Sequence, residues 1–253
     1  MRKLKRLSFL VISRNNIKTI PKNAFVGMNS LKILELDSNE LNFQSGIFTG
    51  LENSLETLTL RDTGLVELPV NSLVSLRRLT DLDVSRNKIN TLSRGDIGRL
   101  KLKTIDLSHN KVDYIQPDVF MGISRTVSLD LDNNKLSDIS FVLNVTPCAF
   151  SYIDVSGNDI KCDCDTEIII NSGIVVGVGP TGKCTLGNDT SGVHYKLGAS
   201  LLSRKLIERC NETERIYDCQ NMELYPDSSV KIGLSFFVTI SCVALPYFLS
   251  WLL

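Results

Sequence analysis

Residues 102–112 read LKTIDLSHNKV, and their order of apolar and polar positions decides the fold. Apolar residues occupy the first, fourth, sixth and eleventh positions, and Asn110 occupies the ninth. The alternation of Ile105, Asp106 and Leu107 is that of a short strand with one buried face. Asn110 follows where such a strand must turn, and a buried amide there can bond to backbone groups of the bend.

The same pattern, L-x-x-L-x-L-x-x-N-x-L, recurs along the first part of the chain, which indicates a repeat protein. Successive copies begin at Leu7, Leu31, Leu55, Leu79, Leu102, Thr126 and Phe150, and we call them coils 1 to 7. The starts are 24 residues apart, except for one step of 23 between Leu79 and Leu102. In coil 3 the asparagine is replaced by Thr63. This regularity predicts a repeat array over residues 1–160.

A further apolar residue follows each start after about 18 positions and should close the core on the convex side. These residues are Phe25, Phe48, Leu73, Ile97 and Phe120, and in coil 6 the position falls on Asn144. A coil with one apolar face cannot bury it alone, so coils should stack into a curved solenoid. Seven strands at a spacing of ~4.8 Å predict a parallel concave sheet roughly 30 Å wide.

Composition argues against two classes of function. Lys plus Arg and Asp plus Glu both number 28, so there is no basic surplus of the kind that nucleic-acid binding requires. The only histidines are His109 and His194, neither lies in a nucleophile motif, and no glycine-rich phosphate loop occurs. We therefore predict a binding protein that is not an enzyme, needs no cofactor and has no nucleic-acid partner.

Six cysteines lie within 72 residues around and after the end of the array, and they indicate an oxidising compartment. They are Cys148, Cys162, Cys164, Cys184, Cys210 and Cys219. An open solenoid needs a terminal cap, so residues 161–219 are predicted to form a disulfide-stapled cap. Six cysteines allow 15 pairings, and the sequence leaves the connectivity open. A zinc site is disfavoured because the sequence has no second close cysteine pair and no histidine near Cys162.

Three N-x-S/T sequons, at Asn144, Asn188 and Asn211, are candidate glycosylation sites in such a compartment. Asn188 and Asn211 lie in polar stretches. Asn144 falls at the predicted core position, which argues against its being accessible.

The two ends of the chain resemble targeting segments, and each has an alternative interpretation. Residues 220–231 are interpreted as a polar stalk. Residues 232–253 carry no charge, and this tail is long enough to cross a bilayer. The tail is either a lipid-anchor signal, with Asp227, Ser228 and Ser229 as attachment candidates, or a membrane span. Residues 1–6 are basic, but the apolar stretch after them is short for a secretory signal. We expect a chain that begins inside the array, with an unconventional signal as the alternative.

Strand alternation places a second set of residues on the concave face. Asp83, Asp106, Asp130 and Asp154 would form an acidic strip, which favours a basic partner. The alternative is that aspartate fills these positions without a ligand. Arg61, Arg86, His109 and Tyr152 are assigned to the same face, as residues either of a binding hot spot or of a solvated surface.

The 24-residue repeat with its cysteine-rich end resembles the extracellular leucine-rich-repeat proteins of the chaoptin, connectin, Slit and Toll group. The resemblance implies an α/β repeat solenoid: a horseshoe with a parallel concave sheet, a disulfide-capped C-terminus and a hydrophobic C-terminal helix. It also implies the pairs Cys162–Cys184 and Cys164–Cys210, which leaves Cys148 and Cys219 for a third pair. The tryptophans common after the C-x-C are replaced here by Ile168, Ile169 and Ile170.

The function implied is recognition of an extracellular or cell-surface protein, or cell adhesion, at the outer face of the plasma membrane. The tail would hold the protein to the membrane by a lipid anchor, as in chaoptin and connectin. The alternative is an ectodomain fragment of a Toll-like or other single-pass signalling receptor. A secreted matrix component is a third reading, against which the apolar tail argues.

Overall fold

The computed structural model describes residues 4–116, 118–123, 126–145, 149–162 and 169, with the backbone of three further short strands. One strand from each coil lies in a parallel sheet with the order β1-β2-β3-β4-β6-β8-β9-β11. Its members are β1 (Phe9–Val11), β2 (Ile33–Glu35), β3 (Thr57–Thr59), β4 (Asp81–Asp83), β6 (Thr104–Asp106), β8 (Val127–Asp130), β9 (Phe150–Asp154) and β11 (Val176–Gly177). The predicted parallel sheet is confirmed, and β11 extends it by one strand from the segment assigned to the cap.

Two smaller sheets lie outside this one. Strands β5 (Thr91–Leu92) and β7 (Tyr114–Ile115) form a parallel pair. Strands β10 (Ile160–Cys162), β12 (Lys183–Leu186) and β13 (His194–Lys196) form a sheet of three. The first pair belongs to the repeat array, and the second sheet follows the last coil.

The core is a single cluster that runs through all the coils. Leu34, Leu58 and Leu82, at the fourth position of their coils, lie side by side in the sheet and are almost completely buried. The predicted convex-side residues Phe25, Phe48, Leu73, Ile97 and Phe120 are also buried, as expected. Each such side chain contributes about 1.5–3 kcal/mol by leaving water, so the stacking of coils is driven by the repeat pattern itself.

The repeated asparagines form a ladder of hydrogen bonds between coils. The Asn110 Nδ2 donates to the carbonyls of Leu107 and Ser108 in its own coil and to that of Val84 in coil 4, at 3.0–3.2 Å. Its Oδ1 accepts the buried N–H of Ile89 at 3.0 Å. This asparagine ladder consists of Asn39, Asn87, Asn110, Asn134 and Asn158. The predicted role of the asparagine in satisfying the bend and the neighbouring coil is confirmed.

Thr63 interrupts the asparagine ladder between coils 2 and 3. Its hydroxyl donates to the Leu60 carbonyl at 2.9 Å, as an asparagine would, but does not reach coil 2. The N–H of Leu41, which would meet an asparagine Oδ1 at position 63, instead bonds to the Asn39 carbonyl at 2.9 Å. One cross-coil connection is therefore missing at this step.

A left-handed backbone residue precedes the ninth position of every coil. Arg14, Ser38, Asp62, Arg86, His109 and Asn133 have φ between 52° and 58°, and Gly157 has φ of 69°. In this conformation the N–H of His109 reaches the Asp132 carbonyl of the next coil at 2.8 Å. Non-glycine residues lose about 1–2 kcal/mol there, so the bonds of the turn must hold the geometry.

The convex side consists mainly of turns. Among the described residues the helices are α1 (Val70–Leu73) and the 3₁₀-helix η1 (Ser140–Asn144). Coils 4 and 5 come very close at Gly98, where an added Cβ would lie 1.9 Å from the Met121 carbonyl oxygen. Only glycine fits at this contact.

The core position of coil 6 differs from the expectation. Counting from Thr126 assigned it to Asn144, whereas the residue that fills the core is Phe141, which is 2% exposed. Its ring stacks on Phe120 with centroids 5.6 Å apart, and Phe150 meets Phe120 edge-on at 5.1 Å. The helix η1 changes the path of this coil, so a fixed count of residues does not apply. The side chain of Asn144 lies outside the described part.

The remaining C-terminal predictions fall mostly outside the described residues. They concern Cys148, Cys164, Cys210, Cys219, Asn188, Asn211, Asp227, Ser228, Ser229, the stalk at 220–231 and the tail at 232–253. Cys162 and Cys184 lie on the adjacent strands β10 and β12, where Cys184 is in register with Ile160. The disulfide pairs stay predictions. Within the described part of the chain, no helix is both long enough and apolar enough to cross a membrane.

Candidate ligand-binding face

The concave surface of the large sheet presents columns of side chains that run across the strands. The register pairs Asp83 with Asp106, Asp106 with Asp130, and Asp130 with Asp154. Neighbouring strands are ~4.8 Å apart, so the carboxylates of this acidic column are neighbours. The sequence prediction therefore brings these four residues together correctly.

Each aspartate of the acidic column also has a local structural role. The Oδ1 atoms of Asp83, Asp106 and Asp130 accept the N–H two residues further on, at 2.8–2.9 Å. Asp154 does the same with the N–H of Ser156 at 2.8 Å. These bonds satisfy backbone donors where the strands end.

The column is electrostatically crowded. The pKa of Asp130 is raised to about 6: burial contributes most, the N–H of Asp132 opposes the shift, and the carboxylates of Asp106 and Asp154 add to it. Burial likewise raises the pKa of Asp83, although its bonds to Ser85 oppose the shift. Like charges on adjacent strands repel, and partial burial strengthens that repulsion.

Tyr152 and Arg61 border the acidic column. The Tyr152 hydroxyl donates to the Asp154 Oδ2 at 2.9 Å. Partial desolvation together with this carboxylate raises the pKa of Tyr152 to about 12, so the hydroxyl remains a donor. The Arg61 Nε lies 3.6 Å from the Asp83 Oδ2. Both residues are positioned to contact a molecule that docks on the column.

Arg86 and His109 lie in the left-handed turns after β4 and β6, beyond the ends of the strands. The His109 Nε2 is 4.0 Å from the Asp132 Oδ2, and Arg86 is exposed. Their part in a binding face stays a prediction.

Several residues of this face were not singled out from the sequence. Asp132 adds a carboxylate beside the column, and its Oδ1 accepts the Ser156 hydroxyl at 2.8 Å. Asp81 accepts the Thr104 hydroxyl at 2.8 Å. At the opposite end of the sheet, Phe9 and Val11 are each 48% exposed, so the face changes from apolar to acidic along the array. Phe9 could have been assigned to this face from the sequence, because it occupies the same position in coil 1 as Tyr152 does in coil 7.

A polar cavity lies away from the acidic column. It has a volume of about 560 Å³ and lies at the turns of coils 1 to 3. Its lining is polar and consists of Asn16, Lys18, Ser38, Glu40 and Asp62. Nothing links it to the carboxylates, so the candidate site remains the open sheet.

Comparison with known proteins agrees with the coil architecture. The family model described as "Leucine rich repeat" matches residues 1–41, 53–111 and 98–136. Keratocan from Bos taurus is 31% identical over 140 residues, which cover 53% of this chain and 39% of that protein. Asporin from Bos taurus is 31% identical over 139 residues, which cover 53% of this chain and 36% of that protein. The chain thus spans less than half the length of these curated relatives.

Solved structures of two other proteins have the same architecture. The crystal structure of a TLR13–ssRNA13 complex superposes with a TM-score of 0.55 at 29% identity, over 60% of this chain and 22% of that one. Human 5T4, also called trophoblast glycoprotein, gives a TM-score of 0.64 at 22% identity, over 79% of this chain and 77% of that one. Because the repeat pattern, the stacked parallel strands and these matches all agree, the chain is a leucine-rich repeat protein.

Proposed function

We propose that the protein binds a protein ligand through its concave face, and that the acidic column of coils 4 to 7 receives a basic surface of that ligand. The observation that carries this is a set of aligned carboxylates with little countercharge. Of the four, only Asp83 has an ion-pair partner among the described residues, namely Arg61. A basic group of a ligand would supply the missing charge and relieve the repulsion.

The structural role of the aspartates does not by itself explain their charge. An asparagine at each position could accept the same N–H through its side-chain oxygen without repelling its neighbours. The array therefore carries a repulsion that backbone bonding does not require. The neighbouring Tyr152 and the exposed Phe9 add aromatic surface of the kind that dominates protein interfaces.

This difference between asparagine and aspartate defines the test. Cells displaying the full chain would be probed with a panel of purified extracellular domains, and each positive pair would be measured with variants. Asp106→Asn combined with Asp130→Asn keeps both acceptors and removes two charges, and we expect a loss of binding of tenfold or more. The control, Glu67→Gln with Asp113→Asn, removes two exposed charges outside the sheet and should leave binding unchanged. If the two double variants bind alike, the ligand does not use the acidic column.

We also propose an extracellular location with attachment to the outer face of the plasma membrane. The extracellular part is supported by the likeness to keratocan, asporin and osteomodulin, which are secreted matrix proteins. The attachment is supported by the uncharged residues 232–253. In a lipid-anchored protein, Asp227, Ser228 and Ser229 would supply the attachment site, and the tail would be removed.

Phosphatidylinositol-specific phospholipase C distinguishes the forms of attachment. A lipid-anchored protein should be released from intact cells, and bulky residues in place of Ser228 and Ser229 should abolish surface display. Retention on the cell, with Cys242 found in the mature chain, would instead indicate a membrane span. That outcome favours the second candidate, a fragment of a single-pass signalling receptor, which the likeness to TLR13 supports. Accumulation in the medium without enzyme would indicate a secreted matrix component.

A further inference from the structure

The net charge of zero conceals a strong local separation of charge. Five exposed cationic residues lie in and around the segments that lead into strands β4 and β6. We call this set the basic flank, and it consists of Arg77, Arg78, Arg99, Lys101 and Lys103. Arg78 and Lys101 each stand directly before the first leucine of a coil, so they occupy equivalent places on adjacent coils. The flank is therefore a compact cluster and not a scattered set.

A cleft joins the two halves of the basic flank. It has a volume of about 120 Å³, and Arg77, Arg99 and Lys101 line it together with leucines of both coils. Among these leucines, Leu76 and Leu100 are buried and form an aliphatic floor. Cations from two successive coils thus border one opening.

Most of this charge has no countercharge nearby. Among the described residues, no ion pair includes Arg77, Arg78, Lys101 or Lys103, although Arg99 acts on the carboxyl of Asp96. The contrast with coils 2 and 3 is direct. There Lys32 and Glu56, at the position equivalent to Lys103, pair at 3.2 Å. In coil 4 the equivalent residue is Thr80, so Lys103 lacks that partner.

The chemistry of the flank limits what it can bind. No aromatic residue occurs between Phe48 and Tyr114, whereas single-stranded nucleic acids are held by stacking of bases on aromatic rings. A protein interface needs an apolar or aromatic centre. Around the cleft that centre is small, because Val74 is the exposed apolar residue of its lining and the leucines are buried. The acidic column on the concave face of the same coils would repel a polyanion and confine it to the flank. These features favour an extended polyanion without bases.

The geometry points to the basic flank as a binding site for a sulfated polysaccharide. The polysaccharide chain would run beside the cleft from the end of coil 3, across coil 4, to the start of coil 5. The sulfate groups would meet Arg78 and Lys101, and release of counterions from the polymer would drive association. This site lies apart from the concave face, so it stands or falls independently of the proposed protein ligand.

Heparin provides a defined probe. The full chain in a non-ionic detergent would be bound to immobilised heparin and its affinity measured at several NaCl concentrations. Arg78→Gln combined with Lys101→Gln should weaken binding roughly 25-fold at 0.15 M salt, at about fivefold per cation, and reduce the salt slope. The matched control, Lys88→Gln with Lys111→Gln, removes two exposed charges from coils 4 and 5, in the turns that follow strands β4 and β6, and should change affinity less than twofold.

Every other outcome identifies a different site or ligand. Equal losses in both double variants would show attraction to cationic charge in general and would overturn the assignment. Equal retention on desulfated heparin would overturn the role of sulfate. Tighter binding to single-stranded RNA, or to vesicles with anionic lipid, would reassign the flank to a nucleic acid or a membrane. Unchanged thermal unfolding in both variants verifies that the fold is intact, and Asp106→Asn with Asp130→Asn should leave heparin binding undiminished.

Discussion

Restoring the missing step of the asparagine ladder should stabilise the array. At position 63, which is buried, Thr63→Asn would place an Oδ1 where the Leu41 N–H can reach it and an Nδ2 near the Leu36 carbonyl. Asn39 and Asn87 show that the neighbouring coils accommodate this side chain and make both bonds. The bond of Thr63 to the Leu60 carbonyl would be kept by the new amide.

The magnitude follows from counting these bonds. The bond to the Leu36 carbonyl is new and contributes about 1 kcal/mol, whereas the bond to the Leu41 N–H replaces the present bond to the Asn39 carbonyl and contributes less. Ordering the amide side chain costs up to about 1 kcal/mol, so the net gain is at most about 1 kcal/mol, which raises the melting temperature by up to about 4 °C for an array of this size. The reverse change, Asn110→Thr, leaves the buried Ile89 N–H without its acceptor and should cost about 1–3 kcal/mol.

Thermal unfolding followed by circular dichroism measures the global effect, and amide hydrogen exchange measures the local one. Exchange at Leu41 should slow about fivefold in Thr63→Asn, and exchange at Ile89 should accelerate in Asn110→Thr. Thr63→Val keeps the shape without an acceptor and should not slow exchange at Leu41. A lower melting temperature for Thr63→Asn, with unchanged exchange at Leu41, would refute the energetic role assigned to the ladder.

Three further predictions concern other parts of the molecule. In chemical denaturation, Gly98→Ala should lower the free energy of unfolding by about 3 kcal/mol, because the Met121 carbonyl occupies the place of the added Cβ. Gly64→Ala should lower it by only about 1 kcal/mol, because there the space is open and only the φ of +80° is unfavourable. The pKa of Asp130 is raised to about 6, so the folded state binds this proton more tightly than the unfolded chain does. As the pH rises from about 4 to 7 the folded state loses that proton, and the free energy of unfolding falls. The stability advantage of Asp130→Asn over wild type should therefore grow by about 1 kcal/mol over that range, after screening of a half-exposed group, and a pH-independent difference would contradict it. Non-reducing peptide mapping of secreted protein should link Cys162 to Cys184, Cys164 to Cys210 and Cys148 to Cys219, and free thiols at these positions would exclude the cap.

The parts of the fold that the sequence predicted are those with one local cause repeated in every coil. The buried leucines, the strand alternation and the amide of Asn110 each follow from a fixed spacing and a single physical requirement. The position of Phe141 in the core of coil 6 could not be predicted by counting residues from Thr126, because the helix η1 changes the path of the chain in this coil. Strand β11 has only two residues and does not follow the repeat pattern, so the sequence did not predict it.

The candidate site was predictable to a similar degree. Alternation placed the four aspartates correctly, because a strand directs every second side chain to the same face. Alternation does not apply to Arg86 and His109, because both follow the end of a strand and lie in a left-handed turn. Asn133 and Gly157 at the equivalent position were the available signal, since asparagine and glycine adopt this conformation most readily.

The asparagine ladder also affects the order in which the coils can be completed during synthesis of the chain. Each carboxamide serves the coil before it, as Asn110 serves Ile89 and Asn134 serves Val112. Because a ribosome releases the chain from its N-terminus, a coil emerges with a buried donor still waiting, and it is completed only when its successor arrives. The solenoid would then grow coil by coil from its N-terminus, and only the last coil formed would have a donor that still lacks its asparagine acceptor. At Thr63 this side-chain dependence is absent, so the Leu41 N–H of coil 2 is bonded without coil 3, whereas the backbone N–H groups of Leu36 and Ser38 still need the carbonyls of coil 3.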